Sequence, residues 1–153
     1  MVKIILDRWE ASVKQCDTLV NSLSDEQFQR EIAPGKNRGI YLLGHLIAVH
    51  DHMLPLLDLG SVNYGELDKA FIESPDKAVS ELPSVAELKA MWNKQKEDLK
   101  QKFDRLKTEE WFGRHTSVSE EDFAKEPHRN KLNIILTRTT HLTYHTGQLV
   151  YLK

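Results

Sequence analysis

Apolar residues recur three and four positions apart along several long stretches of this chain, the spacing that places them on one face of an α-helix. The first such stripe consists of Val2, Leu6, Trp9, Val13, Cys16, Val20 and Leu23. It predicts a long first helix over residues 2–23, with Trp9 in the protein core. Cys16 is expected to be a buried, unreactive thiol because it lies in the same stripe.

A second segment, residues 40–59, is apolar on nearly every side and predicts a central helix with little exposure. Pro55 lies inside this segment, so it is expected to kink the helix or to fall near its last turns. Residues 60–83 follow as the least periodic region, with a short helical piece expected near residues 66–72. Such a long connection in a small domain is often functional.

A third helix is predicted over residues 84–107. Ser84 and Glu87 form a capping box at its start, and Trp92 lies on its apolar stripe. The dense Lys, Glu, Gln and Asp residues on the other side indicate a solvated face. A polar loop is expected to follow at residues 113–127.

The last helix is predicted over residues 129–152, and short capped turns are expected at residues 25–29 and 108–112. No segment alternates convincingly between apolar and polar residues at the period of two that a half-buried strand shows. The expected fold is therefore all-α. It is a four-helix bundle in a single domain, residues 1–153, with a long crossover between the second and third helices.

The composition is that of an ordinary globular protein, with 40% hydrophobic and 29% charged residues. The formal net charge is -2 and basic residues are interleaved with acidic ones, so no basic stripe is available for nucleic acid. No apolar run approaches the length of a membrane span, and the N-terminus has no signal-peptide pattern. A single cysteine allows no internal disulfide. We therefore expect a cytoplasmic protein that binds neither nucleic acid nor membrane.

The chemical signal comes from histidines. His141 and His145 are four residues apart on the last helix, where two imidazoles can bind one metal ion. The pair alone is a weak signal, because seven histidines produce this spacing by chance, and two ordinary helix histidines are the alternative. His45 lies in the apolar second helix, so its ring needs a metal, a carboxylate or a backbone carbonyl as a partner. His50 and His52 are interpreted as surface or interface residues.

The chain resembles the DinB-like family of four-helix-bundle metalloproteins at two places, residues 43–47 in the second helix and residues 141–149 in the last. The resemblance implies that His45, His141 and His145 bind a divalent metal ion, nickel or zinc. Some relatives are thiol transferases that use bacillithiol, mycothiol or glutathione. Another branch includes a mycothiol-dependent maleylpyruvate isomerase, and many members have no known reaction. The family tendency also favours a homodimer.

Three neutral imidazoles leave one or more positions on a metal ion for water or substrate, which is the pattern of a reactive site. One hypothesis is an enzyme, a metal-dependent hydrolase or a transferase of a low-molecular-weight thiol onto a small electrophile. The other is a non-catalytic, stress-associated bundle that binds a metal or ligand. Tyr144 and Gln148 are candidates for the pocket or for groups that orient the metal ligands. Ordinary packing and a helix-end hydrogen bond are their respective alternatives.

Overall fold

The computed structural model describes residues 1–153 and confirms the predicted all-α fold. The α-helices, numbered in chain order, are α1 (Val2–Ser22), α2 (Asp25–Gln29), α3 (Gly39–Asp51), α4 (Met53–Leu56), α5 (Asp68–Phe71), α6 (Val85–Arg105), α7 (Glu120–Lys125) and α8 (Lys131–Leu149). Short 3₁₀ helices add a turn at Gly65–Leu67, Thr108–Phe112 and Val150–Leu152. The long helices α1, α3, α6 and α8 form the bundle.

The apolar stripes of α1 and α6 meet inside the bundle. Trp9 and Trp92 are 2% and 1% exposed, which confirms their predicted burial. The Trp9 ring lies edge-on to Phe103 of α6, with ring centroids 4.9 Å apart. Cys16 is fully buried, and burial raises the pKa of its thiol to about 11. The thiol therefore stays protonated near neutral pH and is a poor nucleophile.

The contacts at the helix ends set the directions of the four long helices. Gln27, just after α1, donates to the carbonyl of Leu152 at 2.8 Å, so α1 and α8 end together. Ser84 at the start of α6 lines the same surface depression as Ile40 at the start of α3. Gly39, the first residue of α3, packs against Leu152 just after the end of α8. Thus α1 and α8 run in one direction, whereas α3 and α6 run in the other. Parallel neighbours cannot be joined by a tight turn, which is why a long crossover links α3 to α6.

The second predicted helix is interrupted, and it is the most buried element. α3 ends at Asp51, and the chain resumes as α4 after His52. Pro55 accounts for the break, because its ring clashes with the carbonyl four residues earlier and it offers that carbonyl no N–H. His50 and Asp51 are each 1% exposed, so the interpretation of His50 as a surface or interface residue is wrong. A helix that is apolar nearly all round is covered on every side, and its polar residues are buried with it.

Polar anchors hold the crossover against the bundle. The buried carboxylate of Asp51 accepts the backbone N–H groups of Asn63 and Tyr64, both at 2.7 Å. Arg38 and Asp76 form an ion pair at 2.7 Å at the other side of the crossover. The expected short helical piece is present as a 3₁₀ turn that leads into α5. The crossover is thereby fixed with α5 beside α3.

The segment predicted as a polar loop, residues 113–127, contains the short helix α7. Ser119 caps this helix by accepting the backbone N–H of Asp122. No residue of α7 is buried, so it lacks the apolar stripe on which the other helix predictions depended. No helix of the structure combines the length and the apolar character needed to cross a membrane.

Candidate metal centre

The packing of α3 against α8 brings three histidines from distant parts of the sequence to one point. The Nε2 atom of His141 lies 3.2 Å from that of His45 and 3.0 Å from that of His145. All three residues are partly buried, and one ligand atom from each lies within 4.8 Å of the others. The three residues predicted to share a metal ion are therefore in contact, and metal binding itself stays a prediction.

The rings of His45 and His145 are oriented by hydrogen bonds from their second nitrogen. Nδ1 of His45 lies 2.7 Å from the carbonyl oxygen of Phe71. Because a carbonyl only accepts, Nδ1 carries the proton and Nε2 presents a lone pair to the centre. Nδ1 of His145 lies 2.7 Å from Oε1 of Gln148, which gives His145 the same tautomer. Both rings thus turn an unprotonated Nε2 toward His141.

Gly44 allows Phe71 to approach α3 closely enough for this contact. A Cβ atom at position 44 would lie 2.4 Å from the Phe71 ring, a distance at which carbon atoms overlap. Since glycine has no side chain, α5 docks directly on α3, one residue before His45. The sequence shows a glycine at position 44, but no sequence pattern indicates that Phe71 packs against it.

Gln148 and Tyr144 extend the hydrogen-bond network to the surface. Nε2 of Gln148 donates to the Tyr144 hydroxyl at 3.1 Å, and the Tyr144 ring lies edge-on to His145 with centroids 5.0 Å apart. Tyr144 is 62% exposed, so it borders the site without enclosing it. The structure places both predicted residues beside His145, and their functional roles stay predictions.

The spacing and tautomers of the three rings fit a shared divalent cation. Two nitrogen ligands about 2.0–2.1 Å from one tetrahedral zinc ion lie about 3.3 Å apart, close to the separations given above. With lone pairs on Nε2 of His45 and of His145, His141 can donate a proton to only one of them. The other nitrogen–nitrogen contact then has no proton along it, and the lone pair of that Nε2 is left without a partner, which a cation at this point would supply. The donor set therefore suits a metal ion.

Burial keeps the imidazoles of α8 neutral near pH 7. It is the main cause that lowers the pKa of His141 to about 3, and the neighbouring imidazoles of His145 and His45 lower it further. Burial also lowers the pKa of His145, against the opposing effect of its hydrogen bond to Gln148. Neutral imidazole is the form that binds metals, so protons compete little for this site near neutral pH.

Some groups near the site had no signal in the sequence. The carbonyl of Phe71 is a backbone atom, and no side-chain pattern marks it as the partner of His45. Tyr41 stacks on His45 with ring centroids 6.2 Å apart and planes 7° from parallel. His52, interpreted as a surface or interface residue, is half-buried and its Nε2 lies 2.9 Å from the Asp68 carboxylate. His52 is not among the three converging histidines.

This fold and site define a helical bundle whose three converging histidines can hold a metal ion. The sequence profile of the DinB superfamily matches residues 8–149, and the chain belongs to that superfamily. A crystal structure described as the conserved protein of locus from Enterococcus faecalis has a similar fold. It shares 13% sequence identity at a TM-score of 0.66, over 99% of this chain and 94% of that one. No curated protein matches the chain.

Proposed function

We propose that the protein binds a divalent metal ion, nickel or zinc, through His45, His141 and His145 and acts as a metal-dependent hydrolase or transferase. The reaction that we favour is transfer of a low-molecular-weight thiol onto a small electrophile. One observation carries the proposal: three Nε2 atoms converge, and two of the rings are held by Nδ1 hydrogen bonds. Membership of the DinB superfamily supports it.

The donor set is that of a reactive metal site. Structural zinc sites are closed by four protein ligands, whereas three histidines leave a position for a substrate. A divalent ion here would supply Lewis acidity and favour the thiolate form of a small thiol. Gln148 holds the His145 ring in place, and the Phe71 carbonyl does the same for His45. The Tyr144 hydroxyl already accepts from Gln148, so its own proton is free to bond to a ligand at the exposed edge.

Access to the site supports an enzyme over the non-catalytic alternative. A shallow, open depression on α8 lies against His141 and is also lined by Leu136 and Tyr144. A small molecule could therefore approach His141 from this side. A stress-associated bundle that only stores or senses a metal would be better served by a sealed site. Cys16 is fully buried in the core, so the sulfur would come from the cosubstrate.

The partners of this reaction would be a small-molecule substrate and a low-molecular-weight thiol, with neither nucleic acid nor membrane involved. Such thiols are kept reduced in the cytoplasm, which is where we place the protein. We also propose that it is a homodimer.

Calorimetric titration of the metal-free protein with zinc and with nickel tests the site. We expect one tight site in the parent and its loss in His141→Ala. The helical circular dichroism should be retained, because the apolar stripes lie elsewhere. His128→Ala is the matched control, since His128 is exposed and outside the site. If His141→Ala binds either metal as tightly as the parent, the assignment is wrong.

A screen of metal-loaded protein across several thiols, with a chromogenic electrophile, tests the reaction. Turnover by the loaded parent that is lost in His141→Ala would support the transferase. Tight metal binding without turnover of any thiol would favour the non-catalytic bundle instead.

A further inference from the structure

A cavity with an arginine in its wall lies next to the histidine site, between α3 and α8. Its volume is about 370 Å³, and most of its wall is apolar: Val49, Pro55, Leu56 and Ile72. Arg138 of α8 is the arginine. A cavity of this size accepts a small organic molecule.

Arg138 has no carboxylate partner. It is partly buried, and its Nε atom is buried without a hydrogen-bond acceptor. Burial lowers the pKa of its guanidinium, and no acidic neighbour offsets this effect. Moving a charge out of water is unfavourable unless it is paired, so such groups normally have a counter-ion. The guanidinium therefore points to a ligand that supplies a negative charge.

The other polar groups around this cavity are already engaged. Nε2 of His52 lies 2.9 Å from the Asp68 carboxylate, and Asp68 is not among the lining residues. The Thr116 hydroxyl donates to the carbonyl of Pro55 at 2.9 Å. Arg138 is therefore the group left to bind an anion, and one guanidinium can hold a carboxylate through two parallel N–H···O bonds.

The cavity and the histidine site share the same two helices. Arg138 precedes His141 by three residues on α8, and Val49 follows His45 by four residues on α3. Residues with this spacing have their Cβ atoms about 5–6 Å apart on one side of a helix. The two places are therefore about one helical turn apart, a distance that a single small molecule can span.

Building on the proposed function, we infer that the molecule that reacts at the histidine site carries a carboxylate, which binds Arg138. A short apolar body, packed against Val49 and Leu56, joins the carboxylate to the reacting atom. A phosphate group is a poorer match, because phosphates are usually held by several donors and this wall offers one cation.

The first test uses metal-free protein and follows the Nε–H NMR resonance of Arg138. The probes are phenylacetate, its uncharged analogue phenylacetamide, and inorganic phosphate. We expect phenylacetate to shift the resonance at saturation and to bind at least about ten-fold more tightly than phenylacetamide, because only the anion pairs with the guanidinium. Equal binding of the two would overturn the inference, and so would tighter binding of phosphate.

The second test compares variants. Arg138→Met should bind phenylacetate at least about ten-fold more weakly than the parent. Arg8→Met, an exposed arginine on α1, changes the net charge equally and should bind as the parent does. Unchanged binding by Arg138→Met would overturn the inference. If Arg138→Met fails to fold, two measurements on the parent still test the inference. They are the shift of the Arg138 resonance and the difference in affinity between phenylacetate and phenylacetamide.

A third test separates the inference from the proposed function. In cobalt-loaded protein, 3-mercaptopropanoate should bind about ten-fold more tightly than its neutral amide, and Arg138→Met should lose this preference. Metal binding without the preference overturns the inference and leaves the proposed function intact. Failure of the parent to bind any divalent metal overturns the proposed function, and the link between this cavity and a reaction falls with it.

Discussion

Nδ1 of His145 donates to Oε1 of Gln148 across 2.7 Å, between residues three apart on the last helix. This bond turns the ring so that its Nε2 faces His141. Gln148 can therefore affect the centre without contacting a metal ion itself.

Replacing Gln148 with Ala should weaken zinc binding by about ten- to a hundred-fold, because the His145 ring loses its fixed tautomer and orientation. Gln148→Glu keeps an acceptor oxygen and should retain most of the affinity. Gln101→Ala, at an exposed position of α6, is the control. Calorimetric titration measures all of them, and parent-like affinity in Gln148→Ala would contradict the role given to this bond.

Replacing Gly44 with Ala should lower the free energy of unfolding by about 1–3 kcal/mol, since the new methyl group overlaps the Phe71 ring and α5 must move. The Phe71 carbonyl would move with it, so metal affinity should fall as well. Gly147→Ala is the matched control: it meets no atom within 4 Å and lies within α8. That change should raise stability by about 0.5–1 kcal/mol. Denaturant unfolding gives both values. If the free energy of unfolding of Gly44→Ala equals that of the parent, α5 does not dock on α3 as described.

Buried His50 should make stability depend on pH. Burial lowers its pKa from 6.5 to about 4, so between these values the unfolded chain binds the proton more readily than the native protein. Its contribution to stability is therefore complete above pH 6.5 and is lost as the pH falls toward 4. The free energy of unfolding of the metal-free parent should fall across this window.

Asparagine at position 50 cannot titrate. Across this pH window, the free energy of unfolding of His50→Asn should therefore fall by up to about 3 kcal/mol less than that of the parent. His128→Asn, at an exposed position, is the control and should keep the slope of the parent. Chemical denaturation at several pH values measures the slopes. Parallel curves for His50→Asn and the parent would refute the prediction.

We predict a homodimer formed through the turn after α8, which leaves the depression at His141 open. Val150 and Tyr151 are 52% and 79% exposed in this turn. The apolar character of α3 is no evidence for a dimer, since this helix is covered within one chain. Light scattering at micromolar concentration should give the dimer mass, and Tyr151→Glu should shift it toward the monomer. Ile4→Glu, on exposed Ile4 of α1, is the control, and a monomeric parent would contradict the prediction.

Helix boundaries were predictable where an apolar stripe or a capping box marked them. The first helix was expected over residues 2–23 and spans Val2–Ser22, and the third was expected over residues 84–107 and spans Val85–Arg105. The second was expected over residues 40–59 with a kink caused by Pro55. It is divided into α3 and α4, because Pro55 offers no N–H to the carbonyl four residues earlier.

The spacing of His141 and His145 is enough to place them on one face, since four residues make about one helical turn in any fold. No such rule brings His45 to them or sets the Phe71 carbonyl against its ring, because both depend on how distant helices pack. The periodicity of apolar residues indicates which side of a helix is buried. It does not indicate how far a helix is rotated or shifted against its neighbour. That rotation and shift determine which atoms of α3, α5 and α8 meet.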